Sequence, residues 1–117
     1  MTLGEAIKSL RAAAGIMQRE LADRVGITAS MLSLVEANKR EPSITVLRGI
    51  GRALDVPTSV LFAVALDDSE VAHGTRDAQK VHELTRNLFE AARHSVVLKR
   101  IENDKSKSRR APARRSA

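Results

Sequence analysis

Apolar side chains recur at intervals of three and four residues along almost the whole chain, and this periodicity is typical of amphipathic helices. No segment shows the alternation of apolar and polar residues, bounded by hairpin turns, that marks a strand. The three prolines, Pro42, Pro57 and Pro112, fall at natural boundaries of these patterns. The sequence therefore predicts an all-α protein.

The composition narrows the possible classes of protein. Among 117 residues there is no Cys, Trp or Tyr and there are only two Phe, so a core must be built from Leu, Ile, Val and Ala. The lack of Cys excludes disulfides, thiolate metal sites and a cysteine nucleophile. The longest apolar run, residues 60–66, is far shorter than the roughly 20 residues that span a bilayer. We expect a cytoplasmic protein without a membrane segment or signal peptide.

Start and stop signals divide residues 1–66 into five short helices. The second helix begins at Gln18, and the third runs to about Ala37. The signals are the capping-box pair Thr2 and Glu5, Gly15 after the first helix, Gly26 after the second, Thr28 before the third, Pro42 and Ser43 before the fourth and Pro57 before the fifth.

The connection between the second and third helices is very short. Only Gly26 and Ile27 precede the cap at Thr28, so the two helices must cross steeply, as in a helix-turn-helix. The backbones come close at such a crossing, and Ala22 supplies the small residue that the contact requires. Ile27, Leu32 and Val35 are expected to fill the angle between the helices.

With these features, residues 2–66 resemble the lambda repressor and Cro type of helix-turn-helix domain, also called the XRE family. The resemblance implies a five-helix domain whose third helix lies in the major groove of double-stranded DNA, usually in a dimer on a two-fold site. It rests on Arg11, Gly15, Gln18, Leu21-Ala22, Gly26-Ile27, Leu32-Ser33, Val35-Glu36, Pro42-Ser43 and Ala53-Leu54-Asp55-Val56.

The resemblance also implies which residues of the third helix face DNA bases. Many members carry Gln, Arg, Lys or Asn there, whereas this chain has two hydroxyls, a methyl and an isobutyl group, none of which makes a bidentate base contact. Recognition is expected to depend more on DNA shape and on phosphate contacts. A packing role for Leu34 is an equal alternative. The base-facing positions are Ala29, Ser30, Ser33 and Leu34.

Phosphate contacts are implied on both sides of the third helix. At the start of the second helix, free N–H groups and the helix dipole favour an anion beside Gln18. The expected phosphate-binding residues are Gln18, Arg19, Thr28, Lys39 and Arg40. Arg11 and Glu36 match a family ion pair between the first and third helices, which fixes geometry and does not contact DNA.

Residues 67–76 are acidic and small, and we predict a linker there, followed by an amphipathic helix over 77–103. Its apolar stripe is wide enough to pack both on the first domain and on a second chain, which favours a homodimer. The alternative is a helix that covers the domain within a monomer. The predicted dimer seam consists of Val81, Leu84, Leu88, Ala91 and Leu98.

Residues 104–117 are predicted to form a disordered basic tail. From residue 105 onward its composition is Ser, Ala, Pro, Lys and Arg, which buries too little apolar surface to order the chain. Such an arm is expected to contact DNA phosphates or a narrow minor groove, the alternative being a solubilising tail without a binding role. The six charges are Lys105, Lys107, Arg109, Arg110, Arg114 and Arg115.

Together these features predict a dimeric, sequence-selective transcriptional regulator, most simply a repressor, associated with the nucleoid. An antitoxin-type protein that binds a partner through its C-terminal half and represses its own operon is the first alternative, and nonspecific nucleic-acid packaging the second. An enzyme is not expected, because no catalytic set or phosphate loop is present. No cofactor or metal is expected either, since His73, His82 and His94 lack metal-site spacing.

Overall fold

The computed structural model describes residues 1–68 and 77–115, with side chains described as far as residue 107. Six α-helices and no strand are present in these ranges, so the predicted all-α fold is confirmed. The helices are α1 Leu3–Ala14, α2 Gln18–Val25, α3 Ala29–Glu36, α4 Ile44–Leu54, α5 Thr58–Asp67 and α6 Ala78–Arg115.

The sequence signals for helix ends act as expected in the N-terminal domain. Thr2 and Glu5 form a complete capping box at α1, and Thr28 accepts a hydrogen bond from the Met31 amide at α3. Gly15 and Gly26 end α1 and α2 in the left-handed region, with φ of 72° and 83°. Each conformation is strained for a residue with a Cβ, so the glycines fix where the two helices stop.

The crossing of α2 and α3 is built on close backbone contact. Ala22 is 1% exposed, and its carbonyl accepts hydrogen bonds from the amides of both Gly26 and Ile27. Leu32 and Val35 of α3 are buried beneath this turn, as predicted. The tight connection therefore holds α3 at a fixed angle to the rest of the domain.

One apolar core joins all six helices. Its largest fully buried side chains are aliphatic, as the composition requires, and Phe89 is the single aromatic residue among its buried members. The core brings α1, α4 and α5 together behind the α2–α3 pair. The fully buried side chains are Ile7, Leu10, Leu21, Leu32, Val35, Ile50, Leu61 and Val64.

Helix α6 lies against α1 and α5 and is part of the same folded unit. Thr85, Phe89 and Val96 face the domain and are about 95% buried. The predicted seam residues point elsewhere: Leu84 is 63% exposed and Leu88 51% exposed. The residues that pack on the domain and the residues of the predicted seam thus lie on two separate sides of the helix.

Charged side chains also attach α6 to the domain. Lys99 forms an ion pair with Asp55, which ends α4 in a left-handed conformation, and the Arg100 guanidinium lies over Gly15 at the end of α1. Both cations therefore lie at helix C-termini, where the helix dipole favours positive charge. His82 Nδ1 lies 2.6 Å from Asp67 Oδ2, which joins the first part of α6 to the last residue of α5.

The C-terminal segment differs from the prediction. Helix α6 continues to Arg115, so the backbone of residues 104–115 is helical where a disordered tail was predicted after residue 103. Lys, Arg and Ala have favourable helix propensities, and extending an existing helix needs no new nucleation. Pro112 lies inside this helix and not at the boundary expected for it, and its missing N–H removes one intrahelical hydrogen bond. Most of the predicted linker, residues 69–76 with His73, lies outside the described residues, as do residues 116–117 and the side chains of Arg109, Arg110, Arg114 and Arg115.

Candidate nucleic-acid interface

The outer face of α3 offers a small polar and apolar surface to a ligand. Ser30, Ser33 and Leu34 are exposed, with Leu34 at 41%, whereas Leu32, Val35 and Glu36 turn inward. Leu34 is not among the residues of the apolar core, where the alternative packing role would place it. Ala29 is partly buried and packs against the core, so its methyl group is less accessible than its position in the family pattern implied.

The N-terminus of α2 lies beside this face and lacks a side-chain cap. Met17 occupies the N-cap position without a capping hydrogen bond, and the first intrahelical bond runs from the Leu21 amide to the Met17 carbonyl at 3.1 Å. The amides of the first turn of α2 are thus left to solvent or to a ligand. Exposed N–H groups at a positive helix end form a suitable site for one phosphate oxygen.

The ion pair expected between Arg11 and Glu36 is present and is bidentate. Arg11 Nε donates to Glu36 Oε2 at 2.9 Å, and Nη2 donates to Oε1 at 3.1 Å. The Arg11 side chain is 16% exposed and that of Glu36 only 4%. Arg11 Nη1 also donates to the Ile16 carbonyl at 3.1 Å, so the pair ties the α1–α2 turn to the end of α3.

Gln18 joins this ion pair, which sequence reasoning missed. Its Nε2 donates to Glu36 Oε1 at 3.3 Å, and its side chain is partly buried. The amide oxygen accepts no hydrogen bond within the described residues. Contacts of this kind depend on how three helices meet, so no local signal in the sequence identifies them.

A loop with two exposed cations follows α3. Lys39 and Arg40 make no ion pair within residues 1–68 and 77–107, and the Lys39 amide donates to the Leu34 carbonyl at 2.9 Å. Asn38, in the left-handed region with φ of 60°, fixes the start of the loop. Its Oδ1 accepts from the Gly4 amide at 3.0 Å and its Nδ2 donates to Thr2 Oγ1 at 2.8 Å.

Gly4 allows this arrangement because α1 and α3 approach closely there. A Cβ at Gly4 would lie 2.5 Å from the Glu36 carbonyl oxygen. Sequence reasoning did not single out Gly4, and the side-chain role of Asn38 was likewise missed. The loop that carries Lys39 and Arg40 is therefore held to the first turn of α1 by both backbone and side chain.

The remaining expected site residues lie on other elements or at the ends of helices. Arg19 is exposed on α2, and Thr28 uses its oxygen to cap α3, which leaves the hydroxyl proton free to donate. The seam residues Val81, Leu84, Leu88, Ala91 and Leu98 are exposed along α6, and Lys105 and Lys107 are exposed near the end of the described side chains.

Two further features concern only residues 1–68 and 77–115, which the structure describes. No cluster of three or more His, Asp or Glu has a metal-binding arrangement in this part of the chain. None of the helices that the structure describes is long and apolar enough to cross a membrane.

The part of the chain that carries this surface is similar to known proteins. Residues 7–61 match the family described as helix-turn-helix. Over 77 residues the chain is 42% identical to an uncharacterized HTH-type transcriptional regulator of Mycobacterium tuberculosis strain H37Rv, and the match covers 64% of this chain and 54% of the relative. The same figures hold for its counterpart in strain CDC 1551.

A more distant relative comes from a phage. The chain is 22% identical over 94 residues to an immunity repressor protein of Bacillus phage phi105, with 75% of this chain and 65% of that protein covered. The chain thus spans about half the length of the mycobacterial relatives and about two thirds of the phage protein.

Proposed function

From the premise that residues 7–61 belong to the helix-turn-helix family, we propose that the chain is a dimeric, sequence-selective DNA-binding repressor. One observation carries the proposal: the exposed face of α3 is accompanied by the uncapped N-terminus of α2, which Gln18 joins to Glu36, and by the exposed cations of the loop that follows α3. A groove-binding helix flanked by two phosphate sites is the arrangement that places a recognition helix in the major groove.

In this proposal the bases are read by few side chains. Ser30 and Ser33 donate or accept single hydrogen bonds, and Leu34 contacts a thymine methyl group. Ala29 plays a smaller part because it is partly buried. Much of the specificity then comes from sequence-dependent DNA shape. The positions of the phosphates depend on that shape, so phosphate contacts can distinguish sequences without touching the bases.

Phosphate binding is assigned to both flanks of α3. The first-turn amides of α2 bind one phosphate together with the second N–H of the Gln18 amide, the first being donated to Glu36, while Arg19 and the Thr28 hydroxyl bind on the same side. Lys39 and Arg40 bind the backbone on the other side. The ordered loop and the Glu36 contact of Gln18 support these assignments, because both reduce the entropy lost on binding.

Dimerisation is assigned to the exposed stripe of α6. Leu84, Leu88 and Leu98 are each about half exposed although the opposite side of the helix is already packed on the domain. An apolar stripe that remains open after folding is typical of an interface. A second copy brings two α3 helices to one duplex, which supplies the number of contacts that specific affinity requires.

The same stripe also supports the antitoxin-type alternative, in which a different protein occupies α6. The two proposals share the DNA-binding domain and differ in what covers Leu84 and Leu88. Both describe a non-enzymatic protein that acts on the nucleoid in the cytoplasm.

Selection of bound duplexes from a random-sequence library tests the proposal. A dimer should select a two-fold symmetric motif whose half-sites lie about 10–10.5 base pairs apart, or a multiple of that distance. Selection without any common motif, with affinity that depends only on salt, would instead identify nonspecific packaging.

A further inference from the structure

A groove between α2 and α4 is lined by three arginines and no acidic side chain. Arg24 and Val25 come from α2, and Thr45, Arg48 and Arg52 come from α4. The groove is open to solvent, with a volume of about 520 Å³. Neither the DNA-binding surface described above nor the stripe on α6 includes these arginines.

The groove exists because α2 and α4 approach closely at Gly49. A Cβ at this position would lie 3.0 Å from Val25 Cγ1, so a larger residue would require the Val25 side chain to shift. The close approach brings the last turn of α2 beside the exposed side of α4. Three guanidinium groups from two helices therefore surround one shallow floor.

Most of this positive charge is uncompensated. Arg24 Nη2 lies 2.8 Å from Glu20 Oε1, and both side chains are about half exposed. The guanidinium groups of Arg48 and Arg52 have no hydrogen bond or ion pair to any residue that the structure describes. They lie four positions apart on one helix face, where like charges repel. Such an arrangement favours binding of an anion.

We propose that the α2–α4 groove binds phosphates of the DNA backbone beside the segment read by α3; this inference rests on the proposed function. Arg24 lies four residues before Thr28, the cap of α3, and α4 starts directly after the Lys39–Arg40 loop. The groove is thus joined at both ends to elements of the proposed DNA-binding surface.

The chemistry of the groove fits phosphate better than an acidic protein segment. Guanidinium groups match phosphate oxygens with paired donors. A protein partner would need apolar surface to bury, and the floor offers little beyond Val25 and Ala53. Backbone phosphates repeat along the duplex, so two or three adjacent arginines can be satisfied together.

The test compares two duplexes that carry a motif selected by the wild-type protein. One is a core of about 20 base pairs that holds both half-sites, and the other adds about 10 base pairs on each side. Arg48→Gln with Arg52→Gln should lower the log–log salt slope on the longer duplex by about 1.8 per chain, at roughly 0.9 per phosphate. Raising the salt from 50 to 200 mM should therefore weaken the binding of the wild type to the longer duplex about tenfold more than it weakens the binding of this variant.

Two controls separate the groove from total charge. Arg86→Gln with Arg93→Gln removes two exposed arginines from α6 and should leave the slope difference between the duplexes unchanged. Arg48→Lys with Arg52→Lys should keep the wild-type slope and weaken affinity on the longer duplex, because charge is retained without the paired donors.

Equal salt slopes on the longer duplex for the Arg48→Gln, Arg52→Gln variant and the wild type would overturn the proposal. An equal decrease of this slope in that variant and in the α6 control would overturn it as well. Loss of binding to a polyglutamate peptide with unchanged DNA binding would assign the groove to an acidic protein partner instead. If the wild type selects no motif, the proposed function fails, whereas the groove is still tested by the same slopes on a random-sequence duplex of the longer length.

Discussion

At the scale of single residues, the structure separates what local chemistry dictates from what the fold adds. Caps such as Thr2 and Thr28 were predictable because their partners lie three residues away. The side-chain contacts of Gln18 and Asn38 were not, since their partners lie 18 and 34–36 residues away. Residues that hold the interface in place are thus less visible in the sequence than residues that start helices.

The Arg11–Glu36 pair should matter for stability through the cost of breaking it. Arg11→Ala leaves a carboxylate that is only 4% exposed with Gln18 as its remaining partner, and we expect a loss of about 3–5 kcal/mol in the free energy of unfolding. Replacing both partners, as Arg11→Met with Glu36→Leu, should cost much less. Denaturant unfolding of the two variants checks this, and equal losses would contradict it.

The phosphate assignment predicts a loss of affinity without a change in preference. Gln18→Ala with Lys39→Ala should weaken binding to selected and random duplexes to a similar degree, because phosphate contacts position the protein without reading bases. Lys80→Ala with Arg86→Ala, on exposed positions of α6, should have a smaller effect. A changed ranking of DNA sequences in the first variant would show that one of its residues reads bases.

At the scale of helices, α1 to α5 could be predicted closely, because glycines, prolines and capping residues mark their ends. The presence of helix α6 could be predicted, but the residue at which it ends could not. Composition alone did not reveal that a helix already held on the domain continues through Lys105 and beyond. The sequence also did not show which apolar residues face the domain, since α6 has apolar residues on more than one side.

Two neighbouring residues test the inward side of α6. Phe89 is 4% exposed and Leu88 is 51% exposed, so Phe89→Ala should lower the free energy of unfolding by about 3–5 kcal/mol and Leu88→Ala by much less. The measurement is denaturant unfolding at a protein concentration low enough to keep both variants monomeric. Similar small losses would mean that α6 detaches from the domain in solution.

The outward side is tested by charge. Leu84→Glu with Leu88→Glu places four carboxylates in a symmetric seam, where lost apolar burial and repulsion both oppose association. Light scattering should report a monomer, and circular dichroism should show a folded domain. Arg86→Glu with Arg93→Glu changes another side of α6 and should remain dimeric. A Leu84/Leu88 variant that remains dimeric would place the interface elsewhere, α5 being the next candidate.

At the scale of the whole molecule, charge is concentrated at one end. Residues 1–66 carry +2, residues 67–104 carry −2 and residues 105–117 carry +6. A helical backbone as far as Arg115 makes this segment a continuation of α6. We therefore expect the segment to add affinity for DNA without adding sequence preference.

Deletion of residues 105–117 measures that contribution. If about half of the six charges bind phosphate, the salt slope should fall by roughly three per chain. Preference for the selected motif over random DNA should persist, because α3 is untouched. Parallel salt slopes for the two proteins would show a solubilising role only, and a lost preference would place specificity in the basic segment.

The central claim is that α3 reads DNA bases in a symmetric dimer, and one substitution tests it most directly. Ser30 is exposed on α3, and Ser30→Gln introduces an amide that can bind adenine with two hydrogen bonds. Duplex selection with this variant should return the wild-type motif with a new preference for adenine at one position in each half-site, the two positions being related by the two-fold axis. An unchanged motif, or a change in only one half, would contradict the account.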